Sequence, residues 1–128
     1  MQSTDIRAAL RGISELAVTP GMSQDDAQMA MRELGSLNES MLGLVRFSGQ
    51  TPWERHPGGD ELLHVLEGAV DVTVLTDDRA VDATVGAGSL FIVPRGLWHR
   101  QKPHGAVTLL FATPAQGTEH SWAEDPRS

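Results

Sequence analysis

Cysteine is absent from the chain. Without it there are no disulfides and no thiolate zinc site, a composition that suits the cytoplasm. Long apolar runs are absent too. None approaches the ~20 residues that a helix needs to cross a bilayer, so a membrane is not an expected partner. The N-terminal stretch MQSTDIRAALRGISELAV lacks a basic start followed by an apolar block and does not read as a signal peptide. Basic residues are scarce, with 10 Lys and Arg against 17 Asp and Glu and a net charge of −7. A nucleic-acid partner requires a basic face for its phosphates, which this balance argues against; the negative charge serves solubility. Internal repeats and low-complexity linkers are missing as well. The 128 residues therefore read as one domain, long enough for one sizeable core. At 40% apolar and 21% charged residues, the composition is that of an ordinary soluble globular protein.

What is present begins with two helical signals. Thr4 or Asp5 can cap a short helix through Arg11, which Gly12 would end. After the turn signal Pro20-Gly21, the segment SQDDAQMAMRELG makes a stronger case. Ser23 suits the N-cap, Asp25 and Asp26 suit the positive helix start, and Gly35 suits the stop. Ala27, Ala30, Met31 and Leu34 fall on one helical face, so the spacing predicts a helix from Ser23 to Gly35.

From residue 40 onward the period is two. MLGLVRF reads as a strand ended by Ser48-Gly49, and Leu62 to Leu66 is a short apolar run before a bend or bulge at Gly68. Val70, Val72 and Val74 share one face opposite Asp71 and Thr73. TDDRA is a hairpin turn, Val81 to Val85 alternates again, and SLFIV is a strand that Pro94 terminates. LWHRQ and AVTLLFAT complete the set. Many short strands behind a little helix predict an antiparallel sandwich or barrel. The division expected is an N-terminal arm with a short helix packed on the barrel (1–39), a barrel (40–115) and a tail without periodicity (116–128), mobile near its end.

Two segments stand out: HPGGDELLHVLEG, starting at His56, and GAGSLFIVPRGLWH, ending at His99. They resemble the two sequence motifs of the cupin family. The first family motif is HxH, three or four residues, Glu, six residues, Gly; His56, Glu61 and Gly68 match it. The second is Gly, five residues, Pro-x-Gly, two residues, His; Gly88, Pro94, Gly96 and His99 match it. The resemblance spans roughly residues 43 to 112. It implies an all-β, antiparallel double-stranded β-helix, the jelly-roll barrel of the cupins, with a metal or ligand pocket in its mouth. The chain departs from the motifs at two points. Glu54 stands where the first His of HxH is usual, and Pro103 stands where a closing Asn is usual. The ligand set that the resemblance implies is Glu54, His56, Glu61 and His99.

Strand parity gives this set a physical reason. Residues two apart on a strand point the same way, so Glu54 and His56 can both aim into one cavity, with His99 arriving from a second strand. Two imidazoles with one or two carboxylates suit Fe(II), Mn(II), Zn(II) or Ni(II), and the spacing does not select among them. Gln101, two residues past His99, is a candidate partner for fixing an imidazole tautomer. The alternative is a metal-free barrel with a polar pocket, in which Arg55 pairs with Glu54 and Glu54 faces water. His64 lies three residues after Glu61 and should face the other way, His104 sits in an exposed turn, and His120 is on the tail, which could fold over the barrel mouth. The inward sets on other strands (Val45 and Phe47; Leu63 and Val65; Val107, Leu109 and Phe111) describe an apolar cavity with a few convergent polar groups, the usual form of a small-molecule site. Trp98 should point to the opposite face, into a dimer contact or the helix packing, and a homodimer is expected. Two functions follow: a metal-dependent cupin enzyme on a small molecule, with dioxygenase and isomerase both implied by the resemblance, or a non-catalytic small-molecule-binding or sensing cupin whose metal is structural or absent.

Overall fold

The structure, a computed structural model, describes all 128 residues, Met1–Ser128. The elements run in the order α1 (Ile6–Leu10), β1 (Glu15–Ala17), α2 (Gln24–Met29), β2 (Arg32–Leu37), β3 (Ser40–Ser48), β4 (Trp53–Arg55), β5 (Glu61–Leu75), β6 (Ala80–Gly86), β7 (Leu90–Val93), β8 (His99–Pro114) and β9 (Glu119–Ser121). All strand pairs are antiparallel except β1 with β3, which is parallel. The expected jelly-roll barrel is the fold observed.

The two longest strands form its spine. β5 and β8 pair antiparallel from Leu62↔Ala112 to Val74↔His99. β8 also carries β3 along Ala106 to Pro114. The free edge of β5 is shared, with β7 on its first half and β6 on its second. Both long strands bury one face, and β5 changes parity midway. Glu61, Leu63 and Val65 are buried in the first half, whereas Val70, Val72 and Val74 are buried in the second. A bulge between Val65 and Val70 makes the change, because an extra residue shifts every later side chain to the other face. The core cluster joins these valines to Val45, Phe47, Val107, Leu109 and Phe111, among others. The inward sets predicted from alternation are thus the buried ones.

The N-terminal arm differs from its sequence pattern. Asp5 and Ser23 cap the two helices through their side chains, accepting from Ala8 N (3.1 Å) and Asp26 N (3.2 Å). The second helix stops at Met29, not near Gly35. Arg32 to Leu37 instead forms a hairpin with β3, turned by Asn38, whose φ of 53° is the only positive value outside glycine. The helical spacing was a local signal, and the open edge of β3 offered a backbone ladder that outweighed it. Arg46 fastens the arm from the barrel side. Its guanidinium donates to Ile13 O (3.3 Å), Thr108 Oγ1 (3.0 Å) and Glu67 Oε1 (3.1 Å).

The bulge depends on Gly68, at φ 81°. A Cβ there would meet the backbone carbonyl oxygen of Ala106 on β8, which cannot swing aside. Gly68→Ala is expected to lower stability by roughly 1–3 kcal/mol, the usual range for a strained backbone position, as read by denaturant unfolding.

Candidate metal centre

Three strand ends meet at one end of the barrel. β4 carries Glu54, and His56 follows it directly; Glu61 is the first residue of β5 and His99 the first of β8. Glu54 and His99 are register partners across β4 and β8. The short strand β4 is held mainly by its flanks. Trp53 is buried, with the Arg100 guanidinium 4.3 Å above its ring and its Nε1 donating to Glu124 O (3.2 Å). Arg55 pairs with Glu119 at 2.5 Å and covers Trp98 at 4.7 Å, so it is not the partner of Glu54. The loops of the two motif segments are tied to each other: Arg95 N donates to Asp60 Oδ1 (2.8 Å), and Arg95 Nε to Pro57 O (2.6 Å). Gly96 N donates to His56 O (3.1 Å).

The four side chains converge. One ligand atom from each of Glu54, His56, Glu61 and His99 lies within 4.8 Å of all the others. His56 Nε2 is 3.8 Å from Glu54 Oε2 and 3.3 Å from Glu61 Oε2, and His99 Nε2 is 3.1 Å from Glu61 Oε1. The rings of His56 and His99 lie 5.1 Å apart, tilted by 45°. His56, Glu61 and His99 are buried, at 2%, 4% and 1% exposure, while Glu54 is half-buried at the rim.

Other residues orient these groups. His99 Nδ1 donates to Leu97 O at 3.1 Å, since a carbonyl can only accept. A neutral His99 then turns a bare Nε2 toward the Glu61 carboxylate, also an acceptor. His56 Nδ1 is held by Thr118 Oγ1 at 2.8 Å, and Thr113 Oγ1 donates to Glu61 Oε2. His56 Nε2 is buried with no hydrogen-bond partner: its 3.3 Å approach to Glu61 is close but off the line a hydrogen bond requires. Two arrangements answer the cluster, one in part and one in full. A proton on His99 gives an ion pair with Glu61 and leaves His56 Nε2 unused. A divalent cation held among the donors would engage both imidazole nitrogens and the carboxylates of Glu61 and Glu54. Metal–ligand bonds of about 2.1 Å would set neighbouring ligands about 3–3.5 Å apart; the His56–Glu61 and His99–Glu61 separations of 3.3 and 3.1 Å match this, and Glu54, 3.8 Å from His56, would have to move inward. The residues therefore fit a divalent ion, and they account for an otherwise unpartnered nitrogen.

The electrostatics match the Glu61–His99 ion pair. Burial pushes the Glu61 carboxyl up, but the pull of the His56 and His99 rings exceeds it and brings the pKa from 4.5 down to about 2. Burial works against a charged His99 in the same way, and the Glu61 hydrogen bond and charge, with Glu54 behind them, raise its pKa above 6.5.

The remaining sequence candidates lie apart from these four. Gln101 holds neither imidazole; its side-chain oxygen is buried without a partner. His64 is outside the cluster, as strand parity predicted, and His104 is exposed and pairs with Asp71 at 2.9 Å. The segment after residue 115 returns to the barrel. β9 pairs with β4 through Trp53↔Ser121, Glu54↔His120 and Arg55↔Glu119, and His120 Nε2 lies 3.3 Å from Glu54 Oε1. Thr113 and Thr118 were missed by sequence reasoning, because a threonine far along the chain gives no local sign of what it will touch. The site opens into a cavity of about 600 Å³, lined by Glu54, His56 and Glu61 at its polar end.

A barrel of this topology with a His–Glu cluster at its mouth defines a class, and comparison with known proteins names it. The Cupin_2 family model, a cupin domain, matches residues 43–113, and the chain belongs to the cupin family. It is 40% identical over 76 residues to Germin-like protein 1-1 of Oryza sativa subsp. japonica, covering 56% of this chain and 35% of that protein. It is 45% identical over 47 residues to the acireductone dioxygenase of Rhodopseudomonas palustris (strain TIE-1), covering 37% of this chain and 28% of that enzyme. The chain thus spans about a third of the length of these curated relatives. Recombinant oxalate oxidase in complex with glycolate has a similar structure, with a TM-score of 0.58 and 25% identity over 65% of this chain and 46% of that one.

Two predictions follow from this geometry. The ionised Glu61 contributes stability above its ordinary pKa of 4.5, lost as the pH falls toward about 2. The protonated His99 contributes below its ordinary 6.5, lost as the pH rises through its raised value. Chelator-treated protein should therefore melt highest between those two ordinary values, and Glu61→Gln should flatten both limbs of the profile. Thr118→Val, which frees the His56 ring, should weaken metal affinity by about 10–100-fold in a competition titration with the fold intact.

Proposed function

We propose that the chain is a metal-dependent cupin enzyme, with Glu54, His56, Glu61 and His99 holding a divalent ion that a small, oxygen-bearing substrate reaches through the cavity. The observation that carries this reading is the buried, unpartnered Nε2 of His56, set among three further ligand atoms within 4.8 Å. Two His with carboxylates suit iron, manganese, nickel or zinc. When bound, the ion supplies Lewis acidity and, for iron or manganese, electron exchange. An oxidative reaction is favoured over isomerisation by the names of the relatives, an oxalate oxidase and an acireductone dioxygenase. The protein's own groups have distinct tasks. Glu61, fixed by Thr113, is the permanent carboxylate; Glu54, at the rim and shared with His120, is the one that can yield its place to substrate.

A second reading, a non-catalytic binding or sensing cupin without metal, draws support from the Glu61–His99 ion pair, which satisfies those two groups by itself. A homodimer belongs to the first reading, on the strength of exposed Leu90 and Ile92 on β7; a monomeric mass by light scattering would remove it.

Elemental analysis of protein purified without a metal-binding tag separates the two readings. Near-stoichiometric iron, manganese, nickel or zinc is expected, lost in His56→Ala and His99→Ala and weakened in Glu54→Ala without unfolding. Metal-free protein whose melting is unchanged by added metal or chelator would leave the binding module.

A further inference from the structure

The donor cluster occupies only one end of the cavity. At about 600 Å³ the space lies within the roughly 300–1,000 Å³ of sites that enclose a drug-sized ligand, more than a two-carbon acid needs. Elsewhere its lining holds an apolar set, Leu16 from β1, Met22 and Met31 from either side of α2, and Met41 and Phe47 from β3, with Gln24, Gln28 and Glu33 beside them. Leu16, Met22 and Met31 precede residue 43, where the family match begins. The polar end is thus built by the shared family segment, while much of the apolar wall comes from the arm that Arg46 fastens down. Methionine suits such a wall, because its flexible thioether adapts to an irregular apolar group.

Gln101 supplies the second clue. It lines the same cavity two residues beyond His99 and is 8% exposed. Its backbone is committed: Gln101 N donates to Thr51 Oγ1 and Thr51 N to Gln101 O, both at 3.0 Å. Its side-chain Oε1 is buried with no partner. Leaving an amide oxygen unpaired in a protein interior is unfavourable, so a ligand group that pairs with the amide is favoured there. A hydroxyl fits either orientation of the amide, since it both donates and accepts.

We infer that the substrate is amphipathic, a hydroxy acid whose oxygens face the donor cluster and Gln101 and whose apolar substituent, longer than that of a two-carbon acid, lies against Leu16, Met22 and Met31. The inference rests on the metal reading for the acid end and on the arm alone for the apolar end. Gln101 is then a binding residue that selects the hydroxyl, and the arm is the element that sets substrate length.

The test uses zinc-loaded full-length protein, because zinc reports binding without turnover. Affinities are measured by calorimetry for glycolate, 2-hydroxybutanoate, 2-hydroxyhexanoate and 2-hydroxyoctanoate, and for the matching acids without the hydroxyl. Affinity should rise about fourfold per added methylene until the wall is covered. Met31→Gln and Met22→Gln, both at half-buried positions, should each flatten that rise, with the melting temperature read alongside. Gln101→Leu should weaken the hydroxy acids about tenfold and leave the plain acids unaffected. Equal affinity along the series, or a rise that persists in both methionine variants, would overturn the apolar subsite; equal losses for hydroxy and plain acids in Gln101→Leu would overturn the hydroxyl contact. If the protein retains no zinc, the metal reading fails separately. The same series on metal-free protein then decides the apolar end, where a flat response overturns it and a rise that the methionine variants abolish sustains it.

Discussion

Glu61 sits between two imidazoles with almost no water around it, and the surrounding structure is arranged to keep it there. A buried carboxylate is costly unless positive charge and hydrogen bonds surround it. Here His99 meets Oε1, while His56 and the Thr113 hydroxyl meet Oε2. The residues that meet at this point come from both ends of the β5–β8 pairing. Glu61 opens β5 beside the end of β8, where Thr113 lies, while His99 opens β8 beside the end of β5. Two long strands paired along their length place their starts at opposite ends of a flat ribbon. Only the curl of the barrel brings those starts together. The cluster is therefore a product of barrel closure, and the close-packed valines that drive closure also set its geometry.

The layers outside the cluster divide the remaining work. Leu97 O, Thr118 and Thr113 set ring and carboxylate orientation, and the Arg95–Asp60 and Arg95–Pro57 bonds hold the two motif loops against each other. β9 then closes one side of the mouth by pairing with β4. A preorganised site needs such support, because ligand atoms carried by loops alone would be placed too loosely.

Much of this was legible in the residues, and the parts that were not share a cause. Alternation exposed pieces of β5 and β8, though each was read as two shorter strands, and the break at Gly68 was readable as a bulge. The spacing of His56, Glu61 and His99 was legible because each sits at a strand end punctuated by Gly or Pro. β2 was not, since Ala27, Ala30, Met31 and Leu34 make a helical stripe while the deciding partner, β3, begins beyond it. Thr118 and Thr113 were invisible for the same reason: they reach His56 and Glu61 across 62 and 52 positions of sequence, and only the closed fold reveals the pairing. Gln101 was read as a prop for an imidazole, yet the carbonyl of Leu97, as many residues before His99 as Gln101 is after it, took that place.

The bulge in β5 restricts how this scaffold can change length. Inward parity is odd before it and even after it, so gaining or losing one residue between Val65 and Val70 would turn half the strand inside out. Either Glu61 would leave the cluster, or the row Val70, Val72 and Val74 would leave the core. That stretch can vary by substitution, or by residues added in pairs, but not by single insertions. The Thr76–Arg79 turn is under no such restriction, because a residue added at its exposed tip leaves the parity of both flanking strands as it was.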